Sequence, residues 1–261
     1  MTEYVIKQNQ FKTKYLGNHL YHFHSITSTQ TFLKKLVAQN IATPGYVVLA
    51  DHQRMGRGTQ GREWFALPKP QLTFSVLIQP SIPIKNFPIL NILCSSLLVQ
   101  IFRSFNIEAQ IKWPNDVLIG GKKISGILSE LVMIQSKPCL IVGVGVNIEA
   151  NLDDFPPELQ NKATALSMHR QDIDRMEILE LFLQELEILI DEWSTDQLLL
   201  YTQACFNETW RSKYQKIEIK KEEKIVQGTI HGINSMGALE IQTENGLETI
   251  HSRSMIVDST Y

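Results

Sequence analysis

The 261-residue sequence predicts an α+β protein: a large domain of interleaved strands and helices, followed by a small all-β domain. Three observations carry this. Period-two runs and helix-period stripes alternate before Asn207. The glycine pair Gly120-Gly121 separates two apolar runs and suits the positive φ of a tight antiparallel turn. Beyond Trp210 the texture changes to short alternating stretches punctuated by Asn234, Gly237 and Asn245-Gly246.

In chain order, a polar cluster at Ser28 precedes Phe32, Leu33, Leu36 and Val37, a helical stripe that stops before Pro44-Gly45, with Ser28 or a neighbour as its N-cap. Residues 46–50 are a strand, and the polar, glycine-dense 51–64 segment is a long loop. A strand over 72–78, a helix over 86–105 and a strand from Ala109 follow, then the hairpin strands 117–119 and 123–131. Residues 140–146 alternate apolar with small side chains, which predicts a central strand. Ile178, Leu179, Phe182, Leu186, Leu189 and Ile190 mark an amphipathic helix over 176–193. The terminal strands fall at 216–220, 224–230, 238–242 and 248–250. The domain boundary is expected between Asn207 and Trp210, dividing 1–208 from 209–261.

A formal net charge of −2 excludes the broad basic field that would hold nucleic acid. The terminal domain agrees, because its seven Lys/Arg balance seven Asp/Glu. The start of the chain lacks a basic flank followed by an apolar run, so no signal or transit peptide is expected. The longest apolar stretch, 87–105, is interrupted by Asn91, Ser95, Ser96 and Arg103 and reads as a buried helix, so no membrane partner is expected. Cys94, Cys139 and Cys205 have neither disulfide nor zinc spacing, which points to reduced thiols and a cytoplasmic protein.

Four segments carry chemistry. The run Gln53-Arg54-Met55-Gly56-Arg57-Gly58-Thr59-Gln60-Gly61-Arg62-Glu63-Trp64 joins close-approach glycines to planar guanidinium donors. It reads as a loop that folds over an anion or as a surface loop with incidental arginines, and it lacks the ending of a Walker A loop. Lys112-Trp113-Pro114-Asn115-Asp116 and Lys122-Lys123 bring cations and an Asn-Asp pair to the ends of neighbouring strands, although hairpin lysines are often only solvated. Gly143-Val144-Gly145-Val146-Asn147 reads as a closely packed core strand more readily than as half of a dinucleotide fingerprint. Ser28-Thr29-Gln30 supplies hydroxyls and an amide at a helix start, where capping alone would also place them.

Taken together and in this order, these segments resemble the biotin protein ligase catalytic domain. Its marks are a Ser-Thr-Asn helix start, a Gly-Arg-Gly-Arg-x-Gly-Arg-x-Trp loop, Lys-Trp-Pro-Asn-Asp, Lys-x-x-Gly-Ile-Leu and Gly-x-Gly-x-Asn. Ala163-Thr164-Ala165-Leu166 is similar to a further family element, and residues 228–257 resemble the family's SH3-like barrel. Gln30 replaces the usual Asn and Thr59 the usual Arg. The resemblance is to the ligase-only form, without the DNA-binding domain of the repressor form.

The resemblance implies a mixed-sheet catalytic domain with a small C-terminal SH3-like β-barrel. The enzyme would form biotinoyl-5'-AMP from biotin and ATP and pass biotin to a lysine of a biotin carboxyl carrier protein. The alternative is a lipoate or octanoate ligase or transferase of the same superfamily. The implied biotin contacts are Ser28, Thr29, Gln30, Gln53, Gly56, Arg57, Gly58, Thr59, Lys123 and Gly126. The implied nucleotide contacts are Arg57, Arg62, Trp64, Lys112, Asn115 and Asn147. Lys123, Arg57, Arg62 and Lys112 would be the catalytic cations, Mg²⁺ would accompany ATP with Asp116 or Asn147 as candidates to help place it and its ligands otherwise open, and a homodimer is left open. Thr59 removes a charge from the adenylate loop, which implies weaker retention of the intermediate.

Overall fold

The computed structural model describes residues 4–209, 216–221, 224–251 and 255–258; Trp210, at the far edge of the expected boundary, lies outside them. The elements are β1 (Tyr4–Gln8), β2 (His19–Ile26), α1 (Thr29–Ala38), β3 (Tyr46–Gln53), β4 (Gly56–Arg57), β5 (Glu63–Trp64), β6 (Leu72–Ile78), α2 (Ile89–Ser104), β7 (Ala109–Lys112), β8 (Asp116–Ile119), β9 (Lys122–Ile134), β10 (Lys137–Val146), α3 (Arg175–Glu192), α4 (Thr195–Thr209), β11 (Lys216–Lys221), β12 (Lys224–Ile233), β13 (Leu239–Thr243), β14 (Gly246–Ile250) and β15 (Met255–Asp258).

An eight-stranded sheet in the order β1-β2-β3-β6-β10-β9-β8-β7 forms the large part. It is mixed, as predicted: β2 and β3 run parallel and the other neighbours antiparallel. Period-two alternation sends Leu72, Phe74, Val76 and Ile78 of β6, with Leu140, Val142, Val144 and Val146 of β10, into the core beneath α2 and α3. The opposite face packs Leu77, Cys139 and Ile141 against Leu33 and Leu36 of α1. Ser28 caps α1 as expected, its Oγ accepting from the Thr31 N–H at 3.4 Å. The three cysteines are free and buried, and among the described residues no helix is long and apolar enough to cross a membrane.

The second sheet is antiparallel, in the order β14-β13-β12-β11-β15. Its β12–β13 turn docks on the large part. The indole Nε1 of buried Trp113 donates to the Gly237 carbonyl (2.9 Å), and Asn86 Nδ2 donates to the Ser235 carbonyl (2.9 Å). Gly237 has φ +74°, and a Cβ there would stand 2.9 Å from the Ile89 Cα, so this turn takes glycine on both counts.

Several elements depart from expectation. The expected 51–64 loop contains the end of β3 and the two-stranded hairpin β4–β5, joined by a tight turn in which Gln60 adopts φ 57°. Strands β1 and β2 and helix α4 were not expected. β1 is exposed on every residue but one, and the polar interruptions of β2 mask its alternation. At the expected hairpin, β9 carries a bulge opposite Val117/Leu118, with Leu118 facing Lys123 and Val117 facing Ser125. The extra residue, Ile124, is buried in the core, and the shift brings Lys123 onto the same face as Gly126.

Candidate functional site

Along the α1 face, the sheet changes character beyond the apolar patch beneath the helix. The cross-strand rows Leu77–Ile141, Ser75–Gly143 and Thr73–Gly145 pass from apolar to polar and small. The absence of side chains at the two glycines makes a floor. A Cβ on Gly145 would stand 2.7 Å from Trp64 Cε2, and one on Gly143 would stand 2.6 Å from Gln30 Oε1. The indole of Trp64 therefore lies directly against the backbone of β10.

Over this floor is a cavity of about 110 Å³, walled by the start of α1, the end of β3, the β4–β5 hairpin and β9. Ser28, Thr29, Gln30, Gln53, Arg57, Gly58, Thr59, Arg62, Trp64, Asn115, Lys123 and Gly126 all line it. Its polar wall is tightly organised. Gln53 Oε1 accepts from the Thr29 N–H (2.8 Å) and Thr29 Oγ1 (3.1 Å), and Thr29 Oγ1 also bonds Ser75 Oγ (2.8 Å). Gln30, buried, receives Ser75 Oγ on its Oε1 (3.0 Å) and donates Nε2 to the carbonyls of Ile141 (3.0 Å) and Leu128 (3.3 Å). Its longer side chain thus reaches the strand backbones themselves.

A second cavity, of about 670 Å³, opens beside the first and shares Arg62, Glu63, Trp64 and Lys123 with it. Lys112, Asp116 and Asn147 belong to this one, along with Lys122 and Lys162 on a cationic rim. Lys123 Nζ stands 2.7 Å from Asp116 Oδ1 and 5.6 Å from the centre of the Trp64 ring, so the cation sits at the junction of the two cavities. Asn147 is buried and donates to the Thr164 carbonyl (2.9 Å), while Asn115 donates to the Ile127 carbonyl (2.7 Å); both amides tie neighbouring backbones together. Arg57 forks onto Glu130 (3.1 and 3.3 Å), and Arg62 turns back to Thr59 Oγ1 (3.1 Å). Gly56 lines neither cavity. It faces Trp64 in the hairpin, where a Cβ would meet the Trp64 carbonyl at 2.8 Å.

Sequence reasoning missed several lining residues. Ser75 was marked only by being a hydroxyl inside an apolar alternation, and Leu128 by sharing the period of Gly126. Phe155 and Leu159, which wall the second cavity, come from a segment with no regular pattern, so no signal in the chain pointed to them. Among the described residues, no cluster of three or more His, Cys, Asp or Glu could hold a metal ion.

Residues 22–147 match the model of the Biotin/lipoate A/B protein ligase family, and residues 215–254 match that of the Biotin protein ligase C terminal domain. The chain is 33% identical over 248 residues to the bifunctional ligase/repressor BirA of Bacillus spizizenii, covering 92% of this chain and 74% of that protein. It is 31% identical over 172 residues to the biotin–[acetyl-CoA-carboxylase] ligase of Mycobacterium tuberculosis, covering 64% of this chain and 62% of the relative. Among solved structures, the biotin protein ligase of Aquifex aeolicus in complex with biotin and ATP superposes with a TM-score of 0.76 at 26% identity, covering 95% of this chain and all of that one.

Proposed function

The chain belongs to the biotin protein ligase family, and from that premise we propose that it joins biotin to ATP as biotinoyl-5'-AMP and then biotinylates a lysine of a biotin carboxyl carrier protein. One observation carries the reading at the site: a small, polar-walled cavity and a larger, cation-rimmed one share a wall at Arg62, Trp64 and Lys123. A carboxylate held in the first would meet the α-phosphate of a nucleotide held in the second at that wall.

In the first step a biotin carboxylate oxygen attacks the α-phosphorus and pyrophosphate leaves. In the second the carrier amine attacks the acyl carbon, AMP leaves and the amine gives up a proton. Neither step needs a protein nucleophile, so the chain's contribution is alignment and charge. Thr29, Gln53 and Ser28 present hydrogen-bonding groups to the ureido ring, with Gly126, Gly58 and Thr59 close by. Gln30 acts from beneath by fixing Ser75 and the strand carbonyls. Lys123 opposes the charge that builds between carboxylate and phosphate, with Arg57, Arg62 and Lys112 as the other cations. Trp64 and Asn147 shape the nucleotide side, while Asn115, expected there, lines the first cavity and ties the β9 backbone through the Ile127 carbonyl. The β4–β5 hairpin shields the adenylate from water.

Mg²⁺ fits this donor set. Asp116 and Asn147 both face the second cavity, and an ion carried in on a triphosphate needs only one or two protein oxygens. Bound there, it would supply charge compensation between phosphate oxygens. The same reading divides the chain into 1–208 and 209–261, places it in the cytoplasm without DNA or membrane partners, and is compatible with a homodimer.

Incubation with ATP, Mg²⁺, biotin and a biotin carboxyl carrier domain should add one biotin mass to the carrier. A parallel incubation with lipoate should add nothing. Lipoyl addition without biotin addition would reverse the assignment within the superfamily.

A further inference from the structure

Glu130 follows Gly126 and Leu128 on the same face of β9, but it lies one step beyond the cavity those two line. It is anchored from a side that does not involve the hairpin: Lys34 Nζ of α1 donates to its Oε1 at 2.6 Å. Onto this fixed carboxylate comes the fork of Arg57, Nη2 to Oε1 at 3.1 Å and Nη1 to Oε2 at 3.3 Å. Burial alone would push the Glu130 carboxyl up, but the Lys34 hydrogen bond and the charges of Lys34 and Arg57 hold it below its ordinary value, so it stays ionised at neutral pH.

The hairpin that carries Arg57 needs such an anchor. β4 and β5 form a two-stranded sheet that joins neither larger one, and an isolated two-stranded hairpin is marginal in water. The chain entering it from β3 is tied by the Arg54 and Met55 N–H groups to the Ile26 and Thr27 carbonyls. Within β4 itself, Arg57 supplies an ion pair to β9 of the main sheet. Arg62, the other guanidinium on the hairpin's far half, spends its contacts on Thr59 within the same turn.

We propose that Glu130 is a positioning residue that latches the β4–β5 hairpin across the cavity through Arg57 and so sets how long an acyl-adenylate stays bound. The inference rests on the ligase reading above. It assigns a role to a carboxylate that touches no substrate: Glu130 orders the guanidinium without lining the site.

The test loads the full-length protein with labelled biotin and ATP, chases with unlabelled biotin and follows the label retained. Glu130→Gln should release adenylate about fivefold faster than wild type, the size expected for a partly exposed pair, with release read as a rate constant per adenylate formed so that any change in formation does not enter. Arg57→Gln should also release faster, and adding Glu130→Gln to it should change nothing further. Unaltered release in Glu130→Gln overturns the proposal, and so does a fivefold effect that persists in the Arg57→Gln background, since Glu130 would then act through something other than Arg57. Should Glu130→Gln fail to fold, Glu130→Asp keeps a counter-charge for Lys34 and shortens only the reach to Arg57, with the same expectation. A wild-type protein that forms no adenylate would remove the ligase reading itself and the proposal with it, an outcome distinct from formation with unaltered release.

Discussion

Replacing Gly145 with alanine tests whether contact between the Trp64 indole and the strand floor organises the site. A Cβ at residue 145 would stand 2.7, 2.9 and 3.1 Å from Trp64 Cε2, Cζ2 and Cδ2. Carbon atoms rest about 3.5–4.0 Å apart, so one side must retreat by roughly 1 Å. β10 cannot, because it is hydrogen-bonded on both sides, to β6 and to β9. The indole sits on a two-residue strand and can. The strain should therefore appear as a displaced hairpin, at a stability cost below the ~1–3 kcal/mol typical of overpacked cores. A misplacement of roughly 1 Å in a positioning group can cost about 10²-fold in rate. ATP–pyrophosphate exchange dependent on biotin should fall by about that factor in kcat/KM, with a shifted tryptophan emission and a nearly unchanged unfolding midpoint. Wild-type exchange in a folded Gly145→Ala protein would show that the indole's seat against β10 is irrelevant to the chemistry.

Lys123→Ala removes the cation at the junction of the two cavities and should lower adenylate formation by about 10²-fold, the ~3 kcal/mol of a lost charge-assisted contact to a developing oxyanion, while circular dichroism stays native. Thr59→Arg should slow adenylate release and suppress labelling of untargeted lysines, by roughly one to two powers of ten if a charged hydrogen bond worth about 1.5–3 kcal/mol is restored; equal release from both proteins would mean another group already holds the intermediate. Asp51 joins β3 to β2 and to the start of α3, accepting from Arg175 (2.6 Å), His22 (2.8 Å) and His24 (3.2 Å). Burial pushes its carboxyl up, and the His22 and Arg175 hydrogen bonds outweigh that and hold it below its ordinary 3.8. Its contribution is therefore complete above pH 3.8 and is lost as pH falls through the lower folded value. Thermal unfolding followed against pH should show Asp51→Asn less stable by about 1.5–3 kcal/mol at neutral pH, the difference narrowing only in strong acid; a constant difference across that window would contradict the assignment.

Much of the site was readable in the chain because its parts are local. A helix cap, a glycine-rich run, a strand-turn with paired lysines and a strand with small residues each announce themselves within a dozen residues, and their joint order identified the family. The elements that escaped have weak local signals. β1 is almost wholly exposed, β2 breaks its alternation with histidines, and the tight turn in the hairpin depends on a positive φ at Gln60, a residue type that does not advertise one.

The sequence by itself determined the α+β class, the antiparallel hairpin at Gly120-Gly121, the terminal all-β domain and most of the residues that line the first cavity, because period, turn chemistry and capping act between near neighbours. Only the tertiary structure decided which residues face one another. The bulge at Ile124 puts Lys123 on the cavity face. The antiparallel register sets Ser75 opposite Gly143. The folding of the hairpin lays Trp64 on Gly145 and brings Arg57 to Glu130, 73 residues away in the chain. Those pairings follow from strand order and register, which depend on closing long loops around a shared core and leave no trace in any short stretch of sequence.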